Sequence, residues 1–364
     1  MKKSNNPSVS LVTFLTKKRC VYPRTQGVFD WLYFNSYDKS FCIKLFFCIL
    51  LMGTGFAAQN TALAQGNEFP SRTIKMIVPT SAGSGSDTTA RYFAEQLAAS
   101  LGVGVVVENR PGGNGIIAAM AVKQAPADGY TIFLGTNTHL SVNPVVVKDL
   151  PYDPFKDLKP LHGLARGMMV FVSNPQSNIA TINDLVNASK AKSHGLNVGT
   201  YTSGFHLSAA WFSSEASINF ENIPYKGAPE TFLGILGDQL DWAVSDLIAA
   251  MPQVKAGKLK AIAVTGEARH PDYPDIPTVK ESGYPNFVNY TWTSLYVRSQ
   301  TPELVTGRLV DAVNKIMLTK STDDFIKSIG SAPLNLGPSE MRQFQKQETE
   351  RFKRIAESAK IAAQ

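Results

Sequence analysis

From residue 73 onward the chain repeats one pattern: a short β-branched run stops at a loop rich in Gly, Ser or Thr, and the loop opens a stretch with helical spacing. Strands joined through helices rather than tight turns run parallel, because the crossover must carry the chain back to the starting edge of the sheet. The pattern predicts α/β units around largely parallel sheets. Thr73 to Val78 reads as a first strand stopped by Pro79. The loop Thr80-Ser-Ala-Gly-Ser-Gly-Ser86 follows, then a helix from Asp87 to Ser100 with apolar spacing at Ala90, Phe93, Ala94 and Leu97. Val103 to Glu108 is a second strand, Ile116 to Gln124 a helix and Thr131 to Gly135 a third strand that ends in Thr136-Asn-Thr138. Asn109-Arg-Pro-Gly-Gly-Asn-Gly115 makes a tight loop between the second strand and its helix.

The pattern then restarts. Met168 to Val172 reads as a strand, Ile182 to Ala191 as a helix with Thr181 at its N-cap, and Asn197 to Gly199 as a short strand. Thr202-Ser203-Gly204 introduces a helix from Phe205 to Ala216. Ile223 to Gly227 reads as a strand running into a loop, and Pro229 to Leu236 as a helix opened by proline. Further strands are expected at Ala243 to Ser245, Lys260 to Val264 and Thr293 to Val297, and helices at Pro302 to Met317, Thr322 to Ser328 and Ser339 to Ala363. With no internal repeat and no low-complexity linker, a boundary between two domains has to be a crossing of ordinary strands, which is the arrangement of a hinge.

The net charge of +7 suggests a polyanion partner until it is located. Lys2, Lys3, Lys17, Lys18, Arg19, Arg24, Lys39 and Lys44 stand against only Asp30 and Asp38 in the first 64 residues, so that of 36 basic and 29 acidic residues, 28 and 27 remain for the rest. The body is near-neutral, and nucleic-acid binding loses its support. Cys20, Cys42 and Cys48 all precede residue 50. A disulfide framework, a Cys-ligated metal and a thiol nucleophile are therefore excluded for the body, whose lack of thiols suits an oxidising compartment. Lys44 begins a cationic flank and a short apolar run that ends in Ala62-Leu63-Ala64, the composition of a secretory signal cut after Ala64. A spanning helix needs about 20 apolar residues, more than this Gly-punctuated run supplies.

Enzyme signatures are mostly absent. Spacing leaves a Ser/His/Asp triad open, and an exported enzyme acting on a small acidic metabolite and a ligand-dependent sensory protein stand as alternatives to a receptor. Gly102-Val-Gly104 does not continue into a dinucleotide fingerprint, since Val107 stands where the third glycine belongs, and Gly83-Ser-Gly-Ser86 lacks the lysine of a phosphate loop. His139, His162, His194, His206 and His270 show no metal-ligand spacing, so no metal and no cofactor is expected. Three loops remain, at residues 80 to 86, 136 to 138 and 202 to 204. Loops at strand carboxyl ends present amides, hydroxyls and helix N-termini to an anion. Each loop alone is equally readable as a turn with an N-cap; together they point to a site for a carboxylate held by neutral donors. Asp87 and Arg91, four apart, form a helical ion pair on this reading. Tyr225-Lys226-Gly227 offers either an aromatic wall and a cation or a strand end with a solvated lysine, and His206 either a ligand contact or a packing residue.

Several segments in order, Val107-Glu-Asn-Arg-Pro-Gly-Gly-Asn-Gly115, Ala127-Asp-Gly-Tyr-Thr131, Leu150-Pro-Tyr-Asp-Pro154, His206-Leu207, Pro224-Tyr-Lys-Gly227, Lys255-Ala-Gly-Lys-Leu259 and Ile276-Pro-Thr-Val-Lys-Glu-Ser-Gly283, resemble the tripartite tricarboxylate transporter substrate-binding (Bug-type) receptors. The resemblance spans essentially the whole chain after the leader. It implies a type II periplasmic-binding-protein fold: two α/β domains joined by a hinge, with residues 66–168 plus 292–364 as the first, 169–291 as the second and a ligand cleft between them. It implies an exported, periplasmic, monomeric receptor without enzymatic activity. Such a receptor closes over a di- or tricarboxylate, an acidic amino acid or an aromatic acid and delivers it to membrane transporter subunits. By position, the family's carboxylate-gripping loop falls on Thr80, Ser81, Ala82, Gly83 and Ser84, its first-domain partner on Thr136, Asn137 and Thr138, and its second-domain contacts on Thr202, Ser203, Gly204, His206, Tyr225, Lys226 and Gly227. Asp246 falls where the family can accept a bond from ligand or water. The chain departs from the family's usual Gly-Gly pair in the first loop, with Ser84-Gly85, so the resemblance does not name the acid.

Overall fold

The computed structural model describes residues 69–361 and 363. The signal segment, the three cysteines and residues 66–68 of the expected first domain lie outside the described residues.

Among the described residues ten strands form one sheet, eight along a continuous path and two branching from it. On one side, β1 (Ile74–Val78) runs parallel to β2 (Val105–Asn109) and to β3 (Thr131–Thr136). On the other, β5 (Leu196–Thr200) runs parallel to β6 (Phe220–Pro224) and to β7 (Trp242–Asp246). Two antiparallel strands connect these groups: β4 (Leu158–Ser173) and β9 (Tyr290–Arg298), with β9 also lying against β3. β4 changes partners along its length. Up to Met168 it pairs with β9; from Met169 it pairs with β7, and from Val170 also with β8 (Lys260–Val264). The short edge strand β10 (Ser331–Leu336) pairs antiparallel with the first half of β4.

The α/β pattern is thus present, and the expectation of largely parallel pairing holds only for the strands joined by crossover helices. β4 and β9 carry the chain from one group to the other and back, so they meet their neighbours head to tail. The sequence reading placed only the second half of β4 because Pro160, Gly163 and Gly167 interrupt its first half. The strand tolerates them with register shifts between Pro160 and His162 and between Gly163 and Ala165, which are bulges.

The first strand group is covered on both faces, and the period of two along each strand decides which side chain goes where. Ile74, Met76, Val78, Ile132, Leu134, Leu295 and Val297 face α1 (Gly85–Leu101), α8 (Glu303–Met317) and α9 (Lys320–Ser328), through Phe93, Leu97, Leu309, Val313 and Ile326. Ile77, Phe133 and Tyr296 face the other way, toward Ala118, Ala119 and Val122 of α2 (Ile116–Gln124). A third cluster holds Phe171, Val198 and Trp242 together with Leu185 of α4 (Ile182–Ala191), Phe212 of α5 (Ser203–Ala216) and Ile235 of α6 (Ala228–Leu236). The last helix, α10 (Pro338–Ser358), contributes Met341 to one cluster of the first group and Phe352 and Ile355 to the third, tying both ends of the path together. Among the described residues no helix is long and apolar enough to cross a membrane.

Three further elements escaped sequence reading. A π-helical turn, Thr138–Val142, leads into the single turn α3 (Asn143–Val146), in a stretch where the sequence reading places no element. The nine-residue α7 (Leu247–Lys255) starts directly from β7 and carries Pro252 in its interior.

Candidate ligand-binding site

The carboxyl ends of β1, β3, β5 and β7 converge with the first residues of β9 on one cavity. About 40 Å³ of it is open to the centre of a water-sized sphere, enough for a few water molecules. Thr80 follows β1, Thr136 closes β3, Tyr201 and Thr202 follow β5, Asp246 ends β7, and Thr291 and Thr293 come from β9. The halves carried by β1 and by β5 both contribute.

One end of the cavity is rich in free donors. Thr202 caps α5 by accepting from the Phe205 N–H, and it also accepts from the Thr138 hydroxyl at 3.1 Å, which leaves the Thr202 proton unassigned. Gly204 stands against Thr138, and any side chain there would strike the Thr138 hydroxyl. Asn137 uses its Oδ1 to accept from Thr291 at 3.0 Å, while its buried Nδ2 and the buried Thr293 hydroxyl have no partner. Unpaired buried donors cost of order 1–3 kcal/mol each, a cost recovered only if something polar meets them. Behind this end, His139 accepts the Thr136 N–H at Nδ1 and lies 3.0 Å from the Thr136 hydroxyl. Burial pushes the His139 imidazole down to about 3, so the ring is neutral and brings no cation to the site.

The opposite end is acidic. Asp246 is buried, caps α7 through the Ala249 N–H at 2.8 Å and accepts from the Tyr201 phenol at 2.6 Å. Gly85, the first residue of α1, lies directly against its carboxylate. Burial raises the Asp246 carboxyl above the ordinary range, and the Tyr201 and Ala249 donors only partly offset it. Tyr201 is raised as well, by burial and by the neighbouring carboxylate. Thr80 and Ser86 bond to each other at 2.5 Å alongside.

Of the loop expected to grip a carboxylate, only Thr80 reaches the cavity. Ser81 donates its N–H to the Lys226 carbonyl at 3.2 Å and its hydroxyl to Glu230 at 2.8 Å. Ser84 occupies the N-cap of α1 without capping it; its oxygen accepts from the Ala228 N–H at 3.1 Å. Gly83 packs near Pro229, and Ala82 is exposed. Asp87, in the first turn of α1, ties the preceding loop down instead: it accepts from the Gly83 N–H and from Asn109, both at 2.9 Å, and makes the expected pair with Arg91 at 3.0 Å.

Thr136, Asn137, Thr138, Thr202, Gly204 and Asp246 line the cavity, as the sequence expectation has them. Ser203 turns away to Asn143, and His206 lines a separate cavity of about 80 Å³ beside Val147 and Ile361. Tyr225 lies against α6, its hydroxyl close to Gly234, Lys226 is exposed, and Gly227 touches Ser81 and Ser84 at the rim. Met169, Tyr201, Phe205, Ile248, Thr291 and Thr293 line the cavity without having been singled out. The Thr-Trp-Thr alternation of β9 was the one available signal, since it puts two hydroxyls on one face.

The family model of the tripartite tricarboxylate transporter family receptor matches residues 89–361. The chain belongs to that family. A UPF0065 protein of Bordetella pertussis is 31% identical over 77% of this chain and 87% of its own length. Among solved structures, Rpa4515 of R. palustris with adipate superposes with a TM-score of 0.78 at 27% identity, over 82% of this chain and 100% of that one. MatC of Rhodopseudomonas palustris with bound malate gives 0.75 at 25% identity, over 79% and 99%. The tripartite receptor has the periplasmic-binding-protein fold and belongs to a family of solute receptors rather than enzymes. Among the described residues no cluster of three His, Cys, Asp or Glu could hold a metal.

Proposed function

We propose that this receptor captures a small carboxylate-bearing solute in the periplasm and presents it to membrane transporter subunits, the solute's carboxylate meeting the donor-rich end of the cavity. The observation that carries the reading is the unpartnered Asn137 Nδ2 beside the N-terminus of α5, in a cavity without a cationic side chain. An anion there is held by amides, hydroxyls and the positive end of a helix, the means by which proteins bind carboxylates without a counter-ion. The adipate and malate found on structural neighbours support the class of solute.

On this reading residues up to 168 and from 292 form one lobe and residues 169–291 the other, with β4 and β9 as the hinge. Opening about these strands would separate loop 80–86 from loop 226–230 and admit the solute; closing would bury it. Export by the N-terminal segment and a monomeric state belong to the same proposal.

A thermal-shift series on residues 65–364 tests it, with adipate, malate, glutamate, benzoate, 6-hydroxyhexanoate and 6-aminohexanoate as probes. A bound acid at 100 times its Kd adds about 2.7 kcal/mol of stability. At least one acid is expected to give a saturable rise without turnover, and Asn137→Ala to weaken it roughly tenfold, about 1.4 kcal/mol. A panel that leaves the melting temperature unmoved would sink the proposal.

A further inference from the structure

We propose that Asp246 makes this cavity select a solute that carries a hydrogen-bond donor (hydroxyl, amide or ammonium) beyond its carboxylate, and reject a dicarboxylate of the same length. The inference rests on the carboxylate-receptor reading and narrows it.

Three observations carry it. Asp246 is the only charged side chain among the described residues lining the cavity, so nothing there neutralises a second anion beside it. Its carboxylate already occupies the place an anion would take at the start of α1: it lies directly against Gly85 and accepts from the Ala249 N–H at the start of α7. A solute carboxylate is left with the α5 end, where Asn137 Nδ2 is free. Finally, the lone pairs can be counted. A carboxylate has about four acceptor positions. Ala249 and Tyr201 occupy two, and the rest are left for a donor from the cavity.

A hydroxyl, amide or ammonium on the far end of the solute supplies that donor. A second carboxylate brings two acceptors together in a dry pocket, where both cannot stay ionised, so a dicarboxylate must take up a proton to bind. A purely structural Asp246, present to cap α7, predicts no such discrimination.

The test compares adipate, 6-hydroxyhexanoate and 6-aminohexanoate by calorimetric titration at pH 7.5, against the wild-type chain and Asp246→Asn. Asparagine still caps a helix and still accepts, so the fold is expected to survive. Wild type is expected to bind the hydroxy or amino acid at least tenfold more tightly than the diacid. Asp246→Asn is expected to bring the ratio within about threefold, chiefly by gaining diacid affinity, since removing the charge relieves the repulsion. Should Asp246→Asn not fold, Tyr201→Phe serves: it frees one more acceptor position and is expected to widen the wild-type preference. A wild-type preference for adipate, or a ratio unchanged in the variant that folds, overturns the inference while leaving a carboxylate receptor standing. If none of the three acids binds and the wider panel is equally silent, the receptor reading falls and takes this one with it.

Discussion

Loop 80–86 and loop 202–204 have the same description in sequence: a strand end, small polar residues, a glycine, then a helix. In the structure they do opposite things. The start of α1 is covered by Asp246, which lies against Gly85, and Ser81 and Ser84 are spent on the rim at Lys226, Glu230 and Ala228. The start of α5 faces the cavity beside an unpartnered Asn137 amide. A Gly/Ser/Thr loop at a strand end is a supply of donors, and the residues that fold against it decide whether a solute or the protein itself uses them. On the proposed reading the first loop serves closure, the second capture.

The largest effect should come from the capture side. Gly204→Ala places a methyl group against the Thr138 hydroxyl and beside Asn137 Nδ2. Alanine is a better helix former than glycine, but its methyl group pushes the buried Thr138 hydroxyl off Thr202, so the unliganded chain is expected to lose about 1 kcal/mol while remaining folded. Affinity for whichever acid binds is expected to fall roughly a hundredfold, about 2.7 kcal/mol. A variant that binds normally would move the carboxylate seat away from α5 and erase the contrast between the loops.

Next comes the closure side. A Cβ on Gly227 would come 2.7 Å from the Ser81 Cβ and 2.8 Å from the Ser84 oxygen, although the residue's own extended backbone suits any side chain. Gly227→Ala should therefore leave each half intact and wedge the rim. The expected result is a weakening of about tenfold, or 1.4 kcal/mol, for every solute alike, with scattering in the presence of solute showing a more open molecule. Loss confined to one solute would instead make the first loop part of the capture surface.

Much of this was legible beforehand, for identifiable reasons. Ile116–Gln124 and Ile182–Ala191 were placed to the residue, the latter because Thr181 is a capping residue with Asp184 at the reciprocal position. Thr202 and the residues around Asn137 were found because hydroxyls at strand ends leave a compositional trace. Tyr201 left none, since its role comes from Asp246, a partner far off in sequence. Ser81 and Ser84 were placed in the site for the right local reason, and their contacts with residues 226–230 are set by how the two strand groups meet. The first half of β4 was hidden by Pro160 and two glycines that only a bulged strand accommodates.

The smallest effect separates the loops by charge. The first is tied down by the charged Asp87 through the Gly83 N–H, the second by the neutral Thr202 through the Phe205 N–H. Burial works to raise the Asp87 carboxyl, but the bonds from Arg91, the Gly83 N–H and Asn109 outweigh it and hold the group below its usual value. A depressed carboxylate stabilises the fold above its unfolded pKa of about 3.9, and that stability disappears as pH falls through the lower folded value. Asp87→Asn should therefore cost about 1 kcal/mol at pH 7, the low end for a charged bond because Arg91 is 55% exposed, and progressively less below pH 4. Thr202→Ala should also cost about 1 kcal/mol, at every pH. Asp246 has the reverse sign, since its raised carboxyl burdens the fold at neutral pH and the burden eases as the group takes up a proton. Chemical denaturation of the three single variants between pH 3 and 8 reads all of this at once. Parallel slopes for Asp87→Asn and Asp246→Asn would mean that the two acids sit in equivalent environments, and the division of labour between the loops would have no electrostatic basis.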